Sequence, residues 1–184
     1  MFSLIFGLGN PGPEYGGTRH NVGRMVLETV ARRQKLSWRP ERWGPAYVAE
    51  SKQALFIFPL SYMNESGMVV RKFLQRLRKK PEDILVIVDD IALPLDKLRL
   101  RPEGSPGGHR GLLSIASAIG TDAFGRLRCG IGPLPRGVAL ADFVLARFRD
   151  DELPALKAMI ERAADAFECC QEFGIAVAMN RFNA

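Results

Sequence analysis

Residues 2–23 read FSLIFGLGNPGPEYGGTRHNVG, and this stretch sets how the rest of the chain is parsed. Its opening, FSLIFGL (2–8), is apolar and β-prone and stops at a Gly/Pro cluster, the pattern of a buried strand running into a loop. The loop over 9–20 is long, and long loops inside compact domains are usually functional. A helical period follows over 22–34, with Val22, Met25, Val26, Thr29 and Val30 on one face and Asn21 placed to cap it.

The alternation continues outward. Residues 36–45 hold Trp38, Pro40, Trp43 and Pro45 and are expected to be irregular, with strands at 46–50 and 54–58. The loop PLSYMNESG leads to a helix over 66–79 that turns Val69, Phe73, Leu74 and Leu77 inward. DILVIV (83–88) is a fully apolar strand expected to end at Asp89–Asp90. Alternation over 97–101 marks a half-exposed strand with a basic face. GSPGGHRG then feeds a helix over 110–119, RLRCGIG (126–132) is another strand, and helices over 139–147 and 151–172 follow. Strands interleaved with helices predict an α/β fold: a single-domain three-layer sandwich over 1–184, with a mixed, mostly parallel sheet and helices on both faces. No linker, repeat or low-complexity segment divides it.

A chain of 184 residues buries roughly 70% of the surface its unfolded form exposes, so it needs no disulfide or metal staple. Apolar residues at 47% and charged residues at 25% are the globular mixture. No window approaches the roughly 18 apolar residues of a membrane span. The start lacks a basic n-region, so no secretory leader is expected. Three cysteines, two of them adjacent and none in CxxC, support neither a disulfide framework nor a zinc site. A soluble, cytoplasmic monomer without cofactor or metal is the expectation. The net charge of +6 is unevenly spread: residues 1–110 carry 18 basic against 11 acidic side chains, and residues 111–184 carry 8 against 9. Such a distribution suits a polyanionic partner, nucleic acid first, or else an inert basic surface.

Both histidines fall in Gly-rich loops, His20 in TRHN and His109 in GGHRG. Loops after strands are where open α/β sheets place their sites. Three strand ends deliver Asn10, His20, Asp89 and His109, which converge if the strands are parallel. An Asp–His pair is a general-base unit, since the carboxylate fixes the imidazole tautomer and stabilises the imidazolium. No GxSxG elbow accompanies it. Ser61, Ser66 and Ser105 have no distinguishing context, so water is the expected nucleophile. Asn10 and Asn64 offer amides that donate to a carbonyl oxygen or orient a water, or that simply close Asx turns.

Gly7-Leu8-Gly9-Asn10-Pro11-Gly12 also matches GxGxxG, the dinucleotide fingerprint. That fingerprint needs a helix opening within the motif. Pro11, Gly12 and Pro13 block one, and the only acid at the expected distance, Glu28, lies mid-helix. A nucleotide cofactor is therefore not expected.

GLGNPGPEYGGTRHNVG (7–23), SYMNESG (61–67), ILVIVDDIALP (84–94), GGHRGL (107–112) and RLRCGIG (126–132) occur in this order, and the pattern extends to the terminal MNRF. Together they resemble the bacterial-type peptidyl-tRNA hydrolases. The resemblance implies an esterase that frees peptide from the 3′-terminal ribose of tRNA after aborted translation, on a single α/β domain that engages the acceptor stem and 3′ end. On matching positions it implies that His20 is the catalytic base, Asp89 its supporting carboxylate, and Asn10 the residue that distinguishes a blocked peptidyl ester from a free aminoacyl one. It implies that Tyr15, Tyr62 and Asn64 line the peptide and 3′-end cleft, with Tyr62 standing where Phe is common, and that His109 is the histidine of the substrate loop. Arg99, Arg101 and Arg128 fall where the family sets basic residues against tRNA phosphates. Two positions depart from the pattern: Arg110 stands where the family has a substrate-contacting Asn, and Ala92 where an acid is frequent. Arg110, after a Gly-rich stretch expected to restrain it little, is placed to reach phosphate or the cleft mouth. The alternative is a catalytically weakened relative that binds RNA.

Overall fold

The computed structural model describes residues 1–183. Its strands are β1 (Leu4–Gly7), β2 (Arg39–Pro40), β3 (Ala46–Glu50), β4 (Leu55–Pro59), β5 (Ile84–Pro94), β6 (Leu98–Arg101) and β7 (Gly125–Gly132). Its helices are α1 (Val22–Arg33), α2 (Ser66–Leu77), α3 (Arg110–Ile119), α4 (Leu140–Leu145), α5 (Leu153–Phe173) and α6 (Ile175–Phe182).

The strands form one sheet in the order β2-β3-β4-β1-β5-β7-β6. The four central strands, β4, β1, β5 and β7, run parallel. The flanking pairings β2/β3, β3/β4 and β6/β7 are antiparallel. Successive side chains on a strand face opposite ways. Ile5, Leu85, Ile87 and Leu127 therefore join Val26, Leu27, Met159 and Phe167 of α1 and α5 in one core, while Leu4, Phe6, Val86 and Val88 join Val70, Phe73, Leu112 and Ile115 of α2 and α3 in the other. Helices on both faces bury both sides of the central strands, which is why FSLIFGL and ILVIV are continuous apolar runs rather than alternating ones. The result is the expected three-layer α/β arrangement.

Three local expectations are corrected. First, β5 does not end at Asp89–Asp90 but continues to Pro94, because Asp89 and Asp90 keep pairing with Cys129 and Gly130 of β7. Second, Asn21 sits at the start of α1 but makes no side-chain cap there, its amide being used elsewhere. Third, a last helix, α6, follows Gly174 and packs on α5 and β6.

Connections from neighbouring strands leave to opposite faces. From β1 the chain passes to α1 over one core, and from β4 to α2 over the other. Between such strands a crevice opens at their carboxyl ends, the usual position of a ligand in this fold class.

Candidate active site

A cleft of about 350 Å³ occupies that crevice. The loops after β1 and β4 bring it Asn10, then Tyr62, Met63 and Asn64, and β5 itself brings Asp89 and Asp90. A 3-10 turn over Arg19–Asn21 brings His20, and the start of α3 brings His109 and Arg110. Tyr15 and Arg128 complete the polar lining, and Leu140, Ala141, Val144 and Leu145 form an apolar wall. The cleft thus gathers nine of the eleven residues expected from sequence to act in the site. Arg99 and Arg101 lie on β6, outside the lining.

A glycine sets the depth of His20. Gly23, in the first turn of α1, lies so close to the sheet that a Cβ there would collide with the carbonyl oxygen of Ile87. That approach lowers the preceding turn onto the end of β5. His20 Nδ1 lies 2.8 Å from Asp89 Oδ1, and both side chains are buried. An ionised carboxylate only accepts, so Nδ1 carries the ring proton and Nε2 keeps a free lone pair.

Asp89 receives a second imidazole. His109 precedes α3 as its N-cap, and its Nδ1 accepts from the backbone N–H groups of Gly111 and Leu112 at 3.1 and 3.2 Å. This fixes the tautomer and leaves Nε2–H to donate to Asp89 Oδ1 at 3.0 Å. Burial alone would raise the Asp89 carboxyl, but His109 and His20 override it and hold it well below the usual carboxylate range. Both ring nitrogens of His109 are thus engaged within the protein, and its side chain lines the cleft beside Asp89. His20, Asp89 and His109 also bring three possible metal ligands within 4.8 Å of one another. Their separations match the N–H···O bonds just described, so as a trio they are satisfied without a cation.

Asn10 is held from three directions. Its Oδ1 accepts from the Met63 backbone N–H at 2.8 Å, which assigns the amide and leaves the Nδ2 donors for the cleft. Asn21, fully buried, accepts from the Asn10 N–H at 2.9 Å and donates to the Asn10 carbonyl at 3.0 Å. Sequence reading missed this clamp because an Asn just ahead of a helix is indistinguishable from a cap.

The substrate loop is also better anchored than its glycines suggest. Arg126 is fully buried, lies over the Phe124 ring at 4.3 Å, and donates to the carbonyls of Gly104, Ser105 and Asp122. Arg128 Nε lies 3.3 Å from Asp90 Oδ2, and its Nη2 lies 3.5 Å from the Pro106 carbonyl. Two guanidinium groups thus brace the loop ahead of His109. Arg110 is exposed at the cleft rim and forms no ion pair among the described residues. In the β6/β7 register Arg99 lies opposite Arg128 and Arg101 opposite Arg126, which places four arginines on one face of this edge. Glu28, the acid a dinucleotide site would need, is mid-helix and paired to Arg24 at 2.6 Å.

The arrangement suits hydrolysis: a buried His–Asp base, an amide donor beside it, and an apolar wall along one flank. Comparison with known proteins agrees. A family model described as peptidyl-tRNA hydrolase matches residues 4–184. Among curated proteins, the chain is 47% identical over 184 residues to the peptidyl-tRNA hydrolase of Methylacidiphilum infernorum, covering 100% of this chain and 99% of that one. It is 44% identical over 180 residues to that of Thermus thermophilus, covering 98% and 95%. Among solved structures, the crystal structure of the Acinetobacter baumannii peptidyl-tRNA hydrolase superposes with a TM-score of 0.92 at 32% identity, covering 100% of this chain and 95% of that one. On fold, site and full-length similarity together, this chain belongs to the peptidyl-tRNA hydrolase family.

Proposed function

We propose that the cleft performs the family's reaction with His20 as general base and Asp89 as its support, hydrolysing the ester between a peptide and the 3′-terminal ribose of tRNA. The observation that carries this reading is the 2.8 Å His20–Asp89 contact at the cleft floor with the second ring nitrogen free. His20 Nε2 takes a proton from water as the water oxygen attacks the ester carbonyl. Asp89, kept ionised, stabilises the imidazolium that forms. The Asn10 Nδ2 donors hold the carbonyl oxygen as charge builds on it. Collapse breaks the bond to the ribose oxygen, which recovers the proton from His20. The products are a peptide acid and tRNA with a free hydroxyl. General-base help of this kind is worth about 10²–10⁴-fold, the remainder coming from orientation and electrostatic preorganisation.

In the same reading Tyr15, Tyr62 and Asn64 flank the peptide and the 3′ end. Tyr15 and Tyr62 pack edge to face with ring centroids 6.5 Å apart, which supports a stacking surface beside the ester. Arg99, Arg101 and Arg128 face the acceptor-stem phosphates. Residues 1–184 act as one domain, as a monomer, in the cytoplasm. No helix among the described residues is long and apolar enough to cross a membrane. Nothing favours the alternative of a weakened RNA-binding relative. The test is release of peptide from N-acetylated aminoacyl-tRNA by the pure protein, with unblocked aminoacyl-tRNA as control. Turnover of the blocked ester only is expected, and no turnover of either would overturn the reading.

A further inference from the structure

Arg19, the residue before His20, is a charged side chain for which the reaction above has no use. It is 3% exposed. Its Nη2 donates to Glu152 Oε2 at 2.7 Å, and the guanidinium carbon lies 4.6 Å from the ring centroids of both Phe143 and Phe148. Nε and Nη1 have no hydrogen-bond partner among the described residues, so aromatic faces take the place of acceptors. The backbone repeats the link: the Arg19 N–H donates to the Ala146 carbonyl at 3.0 Å, and Thr18 pairs with Arg147 in an isolated antiparallel bridge.

These contacts all reach the segment 143–152, which begins in α4. That helix has only six residues, and Leu140 and Leu145 on it remain 45% and 42% exposed. It touches the fold chiefly at the turn that carries His20. The same helix supplies the apolar cleft wall through Leu140, Ala141, Val144 and Leu145. A buried guanidinium is costly to desolvate, and a leucine would fill the space at less cost. Only Arg combines a flat cation that stacks on two rings with a donor that reaches a carboxylate beyond them, and Lys has neither the plane nor the fork.

We infer that Arg19 is a positioning residue that holds the α4 wall at a fixed distance from His20, and thereby sets how tightly the cleft grips an apolar peptide residue next to the ester. The inference rests on the reaction proposed above. It assigns Arg19 to peptide binding and not to the proton transfer, which His20 and Asp89 conduct without it.

The experiment compares R19K with the parent on two substrates, an N-acetyl-phenylalanyl and an N-acetyl-glycyl ester of the same tRNA. R19K is expected to raise KM about tenfold for the phenylalanyl ester and less than threefold for the glycyl ester. The kcat should stay within threefold for both, with the pH–rate profile unmoved. Hydrogen exchange of the free protein should show amides in 140–148 exchanging at least tenfold faster, with 84–88 unchanged. Equal rises in KM, a fall in kcat with a shifted pH profile, or unchanged exchange over 140–148 would each overturn the inference. If R19K fails to fold, E152Q keeps the cation and both rings, and the same split at smaller size is required of it. Should the parent hydrolyse neither ester, the reaction is wrong, while the exchange comparison still decides whether Arg19 anchors α4.

Discussion

His109 joins the start of α3 to Asp89: one ring nitrogen caps the helix and the other donates to the carboxylate oxygen that also holds His20. Folding the helix therefore builds the base. H109A removes an N-cap and a donor at once. Loss of a cap costs about 1 kcal/mol. The Asp89 carboxyl is held below its unfolded value of about 3.9. A depressed carboxyl stabilises the fold fully above that value, and this contribution is lost as pH falls toward the folded value. H109A shrinks the depression. Its destabilisation in urea unfolding should thus be largest above pH about 4 and narrow in more acid solution. A pH-independent difference would leave only the cap.

The clamp between Asn21 and Asn10 gives a second outcome. N21A leaves the N–H and the carbonyl of Asn10 without their partners in a buried site. Two such losses cost about 2–6 kcal/mol at roughly 1–3 kcal/mol per orphaned group. Chemical denaturation should register a drop of that order. Peptide release should fall as well, since Asn10 is no longer aimed, whereas tRNA binding changes little.

On the β6/β7 edge, R99Q/R101Q/R128Q should weaken tRNA binding and flatten its salt dependence. Each lost duplex phosphate contact removes about 0.9 from the log–log slope. Fluorescence titrations between low and moderate salt measure it, and an unchanged slope would remove these arginines from the phosphate surface.

Arg110 is exposed at the cleft rim, where a guanidinium suits bidentate phosphate contact. R110N should preserve turnover of bound substrate, weaken binding modestly and make the salt slope shallower. A variant that changes only the preference among peptide chains, with binding and slope intact, would place Arg110 on the peptide side.

Much of this was legible in the chain. The continuous apolar runs of β1 and β5 and the helical periods of α1, α2 and α5 show burial in the order of the residues itself. Asn10, His20, Asp89 and His109 are expected to converge because they lie at or after the ends of parallel-type strands, and one cleft brings them together. Other features needed the third dimension. The strand β5 extends beyond its carboxylates because β7 continues to pair with them, which local propensity does not encode. The helix α6 is eight residues long and follows a glycine, too short a window for periodicity to separate it from a tail. Asn21, Arg19 and Arg126 are buried polar side chains whose partners lie far away in sequence or on irregular backbone. Their types suggest a cap and solvated cations, and only packing shows otherwise.

The central claim is that His20 is the base. The most direct measurement is single-turnover release of peptide from N-acetylated aminoacyl-tRNA by H20A, with tRNA affinity determined on the same preparation. Loss of the base should slow release by about 10²–10⁴-fold while affinity stays near that of the parent. Release within tenfold of the parent at equal affinity would show that the proton is taken elsewhere and would contradict the assignment.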